Sequence, residues 1–386
     1  MAMPKVCHII HEDGPGGGPV VIMDHLAATA RQFDLSVIHG GRGKLAAYCD
    51  AAGIPHWQVP IHRRATVLLG FFQLVAALRK AKPDLAILHG QWAGPVGALA
   101  LPLAGVRRSI YLAGWPAFYT DWDLWRVIRN RIGEAIPCHL CNRVVVLSLG
   151  SWYQYSIRKL APGKLRLIHN GIDLNRVPSA EQTRALREAN GWDSQRCHVV
   201  SVGRLSDQKC VHWLLRSWRI VQEKRPDARL WIIGGGLEEE SLHRLARELD
   251  ITATCTFLGS RPNGIEYVAA ADIVAMTSLY EAHAMVPLEA MAAGKPIVTS
   301  DVDGVSDSIR DGVEGFLLPP GEIEAYATRL LLLIEDPALR RAMGEAGRLR
   351  ASEFSITHTN SQYSLLIEEL LHSQVPPANI PVHSKP

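Results

Sequence analysis

The sequence predicts an α/β fold of two domains, each built on a parallel sheet, and three observations predict it. Short apolar runs recur between Val6 and Leu318, and many are continuous rather than alternating, as in strands buried on both faces. Helical stretches such as Glu238–Leu249 and Glu322–Ile334 fall between the runs, and strand–helix alternation over this length implies parallel sheets. Charge is divided as well. Residues 1–175 hold 19 Lys and Arg against 10 Asp and Glu, whereas the remainder holds 22 against 28, within a net charge of +3. At 386 residues and 47% hydrophobic composition, the chain can bury two sizeable cores.

In the first half the candidate strands are Val6–Ile10, Leu35–His39, Leu85–His89, Ser109–Leu112 and Val144–Leu147. The first runs into His11-Glu12-Asp13-Gly14-Pro15-Gly16-Gly17-Gly18-Pro19, with a helix expected from about Val20. A glycine-rich strand-to-helix loop lets backbone approach a ligand, and the amides of a helix start attract phosphate. The spacing matches neither G-x-G-x-x-G nor a P-loop, so a hydride-transferring dehydrogenase is disfavoured, and an ordinary tight turn accounts for the loop equally well. Leu124–Ile132 reads as a basic amphipathic helix with Arg126, Arg129 and Arg131. A plain surface helix is the default, and contact with an anionic membrane is the sharper reading, supported by the basic first half. No arginine-rich run or nucleic-acid motif is present.

No apolar run reaches the ~18 residues that a membrane-spanning helix needs, and the N-terminus reads as a strand rather than a leader. The expectation is a cytoplasmic protein, soluble or peripheral at the cytoplasmic membrane face. The seven cysteines are scattered without a disulfide framework, and Cys138 and Cys141 read as two small residues on one helix face rather than half of a zinc site.

The strand–helix pattern pauses around Ile168–Arg196, where Asn170-Gly171 signals a turn. The expected domains are therefore 1–175 and 176–360, followed by an amphipathic helix over Ser361–Ser373 and a proline-rich tail. Strands in the second half are expected at His198–Val202, Arg229–Ile233, Cys255–Leu258, Ile273–Met276, Pro296–Thr299 and Gly315–Leu318. Arg204 and Lys209 follow the first of these, where α/β sheets place ligand sites. Two cations on one loop can clamp a diphosphate, or can be two solvated surface charges. Ile233-Gly234-Gly235-Gly236 ends the next strand and reads as a close-approach turn.

Thr277–Gly294 is the most informative stretch. Pro287 suits the first turn of a helix and Gly294 its end, which points the amides near Met285 and Val286 at any anion beyond the strands. Glu281 in the loop and Glu289 in the helix can accept hydrogen bonds from sugar hydroxyls. The helix dipole alone explains an early acidic residue such as Glu289, but explains Glu281 poorly.

These segments resemble, in order and spacing, the retaining nucleotide-sugar glycosyltransferases of the GT-B fold in glycosyltransferase family four. Asn170-Gly171-Ile172-Asp173 is similar to the family's N-G-x-D, Val202–Lys209 to its V-G-R-x4-K, and Glu281 through Pro296 to its E-x7-E-A-M-A-x-G-x-P. The match is strong over about 170–320. Over 1–169 only the glycine loop and the strand-end His89 agree. The resemblance implies two Rossmann-like domains facing across a cleft, with the C-terminal helix crossing back onto the first. It implies that Arg204 and Lys209 neutralise the donor diphosphate, Glu289 binds the ribose, and Glu281 binds the transferred sugar. Gly16, Gly17 and Gly18 would close over the diphosphate, and Arg261 would lie near the base. The implied chemistry is retaining transfer from a nucleotide-diphosphate sugar, with a UDP-sugar favoured, to a glycan, lipid-linked or small-molecule acceptor. No obligatory metal or other cofactor is implied.

The family often carries His-Gly after a first-domain strand, where this chain has Ala113-Gly114, which shifts any histidine-assisted step to His89 or His11. Further acceptor-side candidates are Trp92, Trp115, Tyr119 and Trp122, since aromatic rings stack on sugar faces but also serve in cores and at membrane interfaces. Asp301-Val302-Asp303 has the D-x-D spacing of metal-dependent transferases of another fold and reads here as a surface loop, with Gly304 expected toward the ligand. The alternatives are a nucleotide-sugar epimerase of the same architecture and a noncatalytic nucleotide-sugar-binding protein.

Overall fold

The computed structural model describes residues 3–11, 17–61, 67–114 and 124–372. They form two units, one running to Asn170 and taking in Thr357–His372, the other spanning Gly171–Ile356. The chain passes between units at Asn170–Gly171 rather than at 175, and returns at Ile356–Thr357 rather than at 360. Backbone pairing sets these points. The Ile172 amide donates to the Phe354 carbonyl (2.8 Å), and the Ile356 amide donates to the Ile172 carbonyl (2.9 Å). Both passages therefore leave the second unit side by side.

The first unit is a seven-stranded parallel sheet of order β3-β2-β1-β4-β5-β6-β7. Its strands are β1 (Lys5–Ile10), β2 (Asp34–His39), β3 (His56–Gln58), β4 (Leu85–His89), β5 (Ser109–Ala113), β6 (Arg143–Val146) and β7 (Leu165–Leu167). The helices are α1 (Gly17–Thr29), α2 (Lys44–Ala52), α3 (Val67–Ala81), α4 (Gly90–Leu103), α5 (Leu124–Leu140), α6 (Leu149–Ile157) and, from the end of the chain, α14 (Ile356–His372). The second unit is a six-stranded parallel sheet of order β10-β9-β8-β11-β12-β13. Its strands are β8 (His198–Val202), β9 (Arg229–Ile233), β10 (Cys255–Gly259), β11 (Ile273–Met276), β12 (Ile297–Ser300) and β13 (Gly315–Leu318). They alternate with α7 (Ala180–Ala189), α8 (Val211–Lys224), α9 (Glu239–Glu248), α10 (Gly264–Ala270), α11 (Met285–Ala293), α12 (Ile323–Glu335) and α13 (Pro337–Ala351).

Every strand expected from the sequence is present, and continuous apolar runs such as Val144–Val146 and Ile273–Met276 are buried throughout. The edge strands β3 and β7 were not expected. Three residues each, of which His56, Gln58 and Arg166 are polar, are too short and too hydrophilic to register as a β pattern. The helix after β1 starts at Gly17 rather than Val20, which puts Gly17 and Gly18 in its first turn. The final helix starts at Ile356 rather than Ser361. Cys138 and Cys141 are both buried in the first unit's core.

In each sheet the order reverses once, between β1 and β4 in the first unit and between β8 and β11 in the second. Open α/β sheets bind ligands outside the carboxyl ends of the strands at such switch points.

The helix α14 docks on the first unit through an ionic clamp. Glu369 Oε1 accepts from Arg143, on β6, through Nε at 3.1 Å and through Nη2, and also from Arg166 on β7 (3.3 Å). The Arg143 side chain is only 2% exposed, so the charge must be met by a partner. Removing one member of a buried ion pair costs about 3–5 kcal/mol. With Glu369 itself 22% exposed, Glu369→Ala is expected to destabilise the first unit by about 2–3 kcal/mol in urea unfolding. Pairing it with Arg143→Met should recover most of the loss, because the uncompensated charge goes with it.

Candidate active site

At the switch point of the second unit, the loop after β8 carries Gly203, Arg204 and Lys209. Two close backbone approaches shape it. A Cβ on Gly234 would lie 1.8 Å from the Gly203 carbonyl oxygen, and one on Gly236 would lie 2.1 Å from that of Leu205. Hydrogen bonds hold the loops at this distance, from the Gly203 amide to the Ile233 carbonyl and from the Leu205 amide to the Gly235 carbonyl, both 3.0 Å. The glycine triplet after β9 thus serves as a bed for the loop that carries Arg204.

A second set of bonds laces this loop to the one after β11. The Leu279 amide donates to the Gln208 carbonyl (2.8 Å), and Gln208 Nε2 donates to the Tyr280 carbonyl (2.9 Å). Thr277 Oγ1 donates to the carbonyls of Lys209 and Cys210, both at 3.1 Å. The result is a lysine and a glutamate in contact, with Lys209 Nζ 2.5 Å from Glu281 Oε1. Glu281 is only 7% exposed. Cys210 sits in the left-handed region at φ 44°, ψ 41°, its Sγ donating to the Asp207 carbonyl (2.9 Å). A non-glycine residue there costs about 1 kcal/mol.

Arg204 is exposed and lines a shallow crevice with Ser201, Gly203, Lys209, Met276 and Thr277. Helix α11 starts with Met285 and Val286 as its first residues, and no side chain caps it. Its leading amides carry the partial positive charge of a helix start. Glu289 lies one turn further along and is half-buried, and burial pushes its carboxyl up to about 7 although Arg176 pulls the other way. A solvated loop cation, a paired lysine, two uncapped amides and a part-protonated carboxyl suit a ligand with an anionic end and a hydroxylated end.

One expectation changes. Gly304 has φ 76°, and a Cβ on it would lie 2.1 Å from the Ala282 carbonyl oxygen, so it braces the loop after Glu281 rather than facing a ligand. Asp301 and Asp303 are exposed on that bracing loop. Asp173, in the N-G-x-D motif, caps a turn by accepting from the Asn175 amide (3.0 Å). Arg261 is exposed in the loop after β10.

In the first unit, His89 ends β4 at the switch point and starts α4. The register pairs His89 with Leu112, so the imidazole and the Ala113 methyl fall on opposite faces of the sheet. His8 Nδ1 lies 2.9 Å from His89 Nε2, and burial pulls His89 down to about 3. His8 and His25 are functional candidates that sequence reasoning missed. Their signal, histidines inside apolar runs, is indistinguishable from that of core histidines. Trp92 is half-buried on α4 and His11 follows β1. Gly16, Trp115, Tyr119 and Trp122 lie outside the described residues.

Two open parallel sheets, each with polar groups at its switch point, place the chain among the doubly wound α/β proteins, which bind ligands outside the carboxyl ends of their strands. The comparisons narrow the class. The family model described as Glycosyltransferase Family 4 matches residues 15–176, and that described as Glycosyl transferases group 1 matches residues 182–350. The chain belongs to the family-four glycosyltransferases of the GT-B fold. It is 32% identical over 282 residues to a D-inositol 3-phosphate glycosyltransferase of Mycolicibacterium paratuberculosis, covering 71% of this chain and 61% of the relative's own length. The fold is that of Anabaena HepE in complex with UDP and glucose, at a TM-score of 0.85 and 23% identity over 95% of this chain and 100% of that one. It is also that of WaaG, a glycosyltransferase involved in lipopolysaccharide biosynthesis, at 0.75 and 19% over 94% and 99%.

The raised Glu289 carboxyl has a consequence for stability. Between about pH 4.5 and 7 the native state keeps a proton that the unfolded chain releases, so stability falls as pH rises through this window. Urea unfolding of the second unit is expected to lose on the order of 1–2 kcal/mol between pH 5 and 8 from this group. Glu289→Gln should remove that share of the slope.

Proposed function

We propose that this chain is a retaining glycosyltransferase that moves a sugar from a UDP-sugar to a hydroxyl of a glycan, lipid-linked or small-molecule acceptor. The observation that carries the reading is the Lys209–Glu281 contact beside exposed Arg204 and the uncapped start of α11. The ammonium has three donors, and Glu281 engages one, so the others remain for a phosphate oxygen. Arg204 and the amides of Met285 and Val286 hold the rest of the diphosphate. Glu281 takes the hydroxyls of the transferred sugar and Glu289 those of the ribose, while Arg261 lies toward the base. In the first unit Gly16, Gly17 and Gly18 serve the diphosphate and His89 the acceptor. The UDP preference is supported by the solved HepE complexes with UDP and with UDP-glucose.

The reaction breaks the bond between the anomeric carbon and the β-phosphate oxygen. The acceptor oxygen attacks the same face and gives its proton to the departing phosphate oxygen. Negative charge grows on the diphosphate as the sugar becomes oxocarbenium-like, and fixed cations placed there lower the barrier without reorganising. In this reading protein cations, and no metal ion, carry the leaving group.

Removing one such fixed donor costs about 10²–10³ in kcat. Arg204→Ala and Lys209→Ala are expected to show losses of that order with melting curves that still show two folded units. A thermal-shift panel of nucleoside diphosphates and their sugars should give its largest shift with a UDP-sugar, and proton NMR should find the donor's anomeric configuration in the product. Near-normal turnover in both variants, or an inverted product, rejects the assignment.

A peripheral contact with an anionic membrane is part of the proposal. Neighbouring helices α3, α4 and α5 expose Leu68 and Phe72, Leu99 and Leu103, and Trp125 and Ile132, and Trp125 is 80% exposed. Arg129 and Arg131 are exposed among them, the composition of an interfacial helix. No helix of the described residues is long and apolar enough to cross a membrane. Co-sedimentation with phosphatidylglycerol vesicles is expected to be lost in Arg129→Glu/Arg131→Glu. Unchanged sedimentation rejects the contact.

A further inference from the structure

Three buried histidines stand in line in the first unit: His25 on α1, His8 on β1 and His89 at the end of β4. His25 Nδ1 lies 3.2 Å from His8 Nε2, and His8 Nδ1 lies 2.9 Å from His89 Nε2. Burial keeps all three uncharged at neutral pH, His25 at about 4, His89 at about 3 and His8 well below its ordinary value. A neutral imidazole has one N–H and one bare nitrogen. Both nitrogens of His8 are engaged, so the direction of one hydrogen bond dictates the other. The line has two states, with every proton pointing toward His89 or every proton pointing toward His25.

The far end selects between them. Tyr363 of α14 meets His25 edge-on, with ring centroids 5.3 Å apart at 70°. Tyr363 Oη and His25 Nε2 are both buried and find no hydrogen-bond partner among the described residues. A buried water between them, accepting from the phenol and donating to the imidazole, would satisfy both. Burial raises the phenol's pKa, so it keeps its proton. A phenol is a better donor than a neutral imidazole, and an imidazole nitrogen is a better acceptor than a phenol oxygen. With Tyr363 as the donor, His25 would carry its proton on Nδ1, and His8 would do the same.

We propose that Tyr363, His25 and His8 form a tautomer relay that fixes His89 with its proton on Nδ1, making it a hydrogen-bond donor to an oxygen of the bound sugar or acceptor. The functional half of this rests on the reading of the β4 end as the acceptor site. Tyr363, His25 and His8 are positioning residues, and His89 acts as a donor rather than a base.

Long-range nitrogen–proton correlation spectra of the full chain with ¹⁵N-labelled histidine test the relay, with His89 and His25 assigned through His89→Gln and His25→Gln. In the wild type His89 should show a pyrrole-type Nδ1 and a pyridine-type Nε2. Tyr363→Phe keeps the ring packing and should give His89 a mixture of tautomers. The same variant should lower kcat/KM for the acceptor by about tenfold, the worth of one hydrogen bond, with the donor KM unchanged. A wild-type His89 protonated on Nε2, or a tautomer indifferent to Tyr363→Phe, overturns the relay. If the tautomers behave as expected but His89→Gln transfers normally, the relay stands and the placement of His89 at the acceptor is overturned.

Discussion

An ammonium and a carboxylate in contact and mostly out of water set the terms for the second unit. Each charge taken alone from solvent would cost several kcal/mol, and the pair is tolerable only because its geometry is close and its surroundings polar. That requirement accounts for the effort around it. Thr277 and Gln208 tie the loops of Lys209 and Glu281 together, and Gly304 packs beneath the loop that follows. Arg204, the neighbouring cation, is left to solvent. One cation is held in place and the other is free to meet an incoming anion.

Both units apply one rule to different chemistry. Parallel strands must be covered on both faces, so polar groups collect where the strands end and the order reverses. In the second unit those ends hold Arg204, Lys209 and Glu281. In the first they hold His89, backed by His8 in the sheet and His25 on α1. Among the described residues, these buried imidazoles of the first unit have no counter-ion beside them, whereas in the second Lys209 and Glu281 bring opposite charges into contact.

Much of this was legible in the sequence. Continuous apolar runs mark strands covered on both faces, and Pro287 and Gly294 bracket a helix that the structure begins only two residues earlier, at Met285. The spacing of Arg204, Lys209, Glu281 and Glu289 follows from sheet order, since β8 and β11 are neighbours though far apart in the chain. What was not legible depends on contacts distant in sequence. The role of Gly234 as a bed for the Gly203 carbonyl needs two loops brought together. Ile172 sets a unit boundary only through its pairing with the 354–356 segment. His8 and His25 look like any histidine within an apolar stretch until their ring nitrogens are seen to meet.

The docking of α14 on β6 and β7 also bears on how a ribosome delivers this protein. Synthesis runs from the N-terminus at about 5–20 residues per second. The second unit is complete once Ile356 emerges, whereas the first must wait for Tyr363 and Glu369, made after the whole of the second. The earliest-made half of the polypeptide is thus the last to be finished, and Arg143 remains an unanswered charge for most of translation. A nascent chain stalled before residue 357 would expose that gap to proteases and chaperones while its later half is already folded.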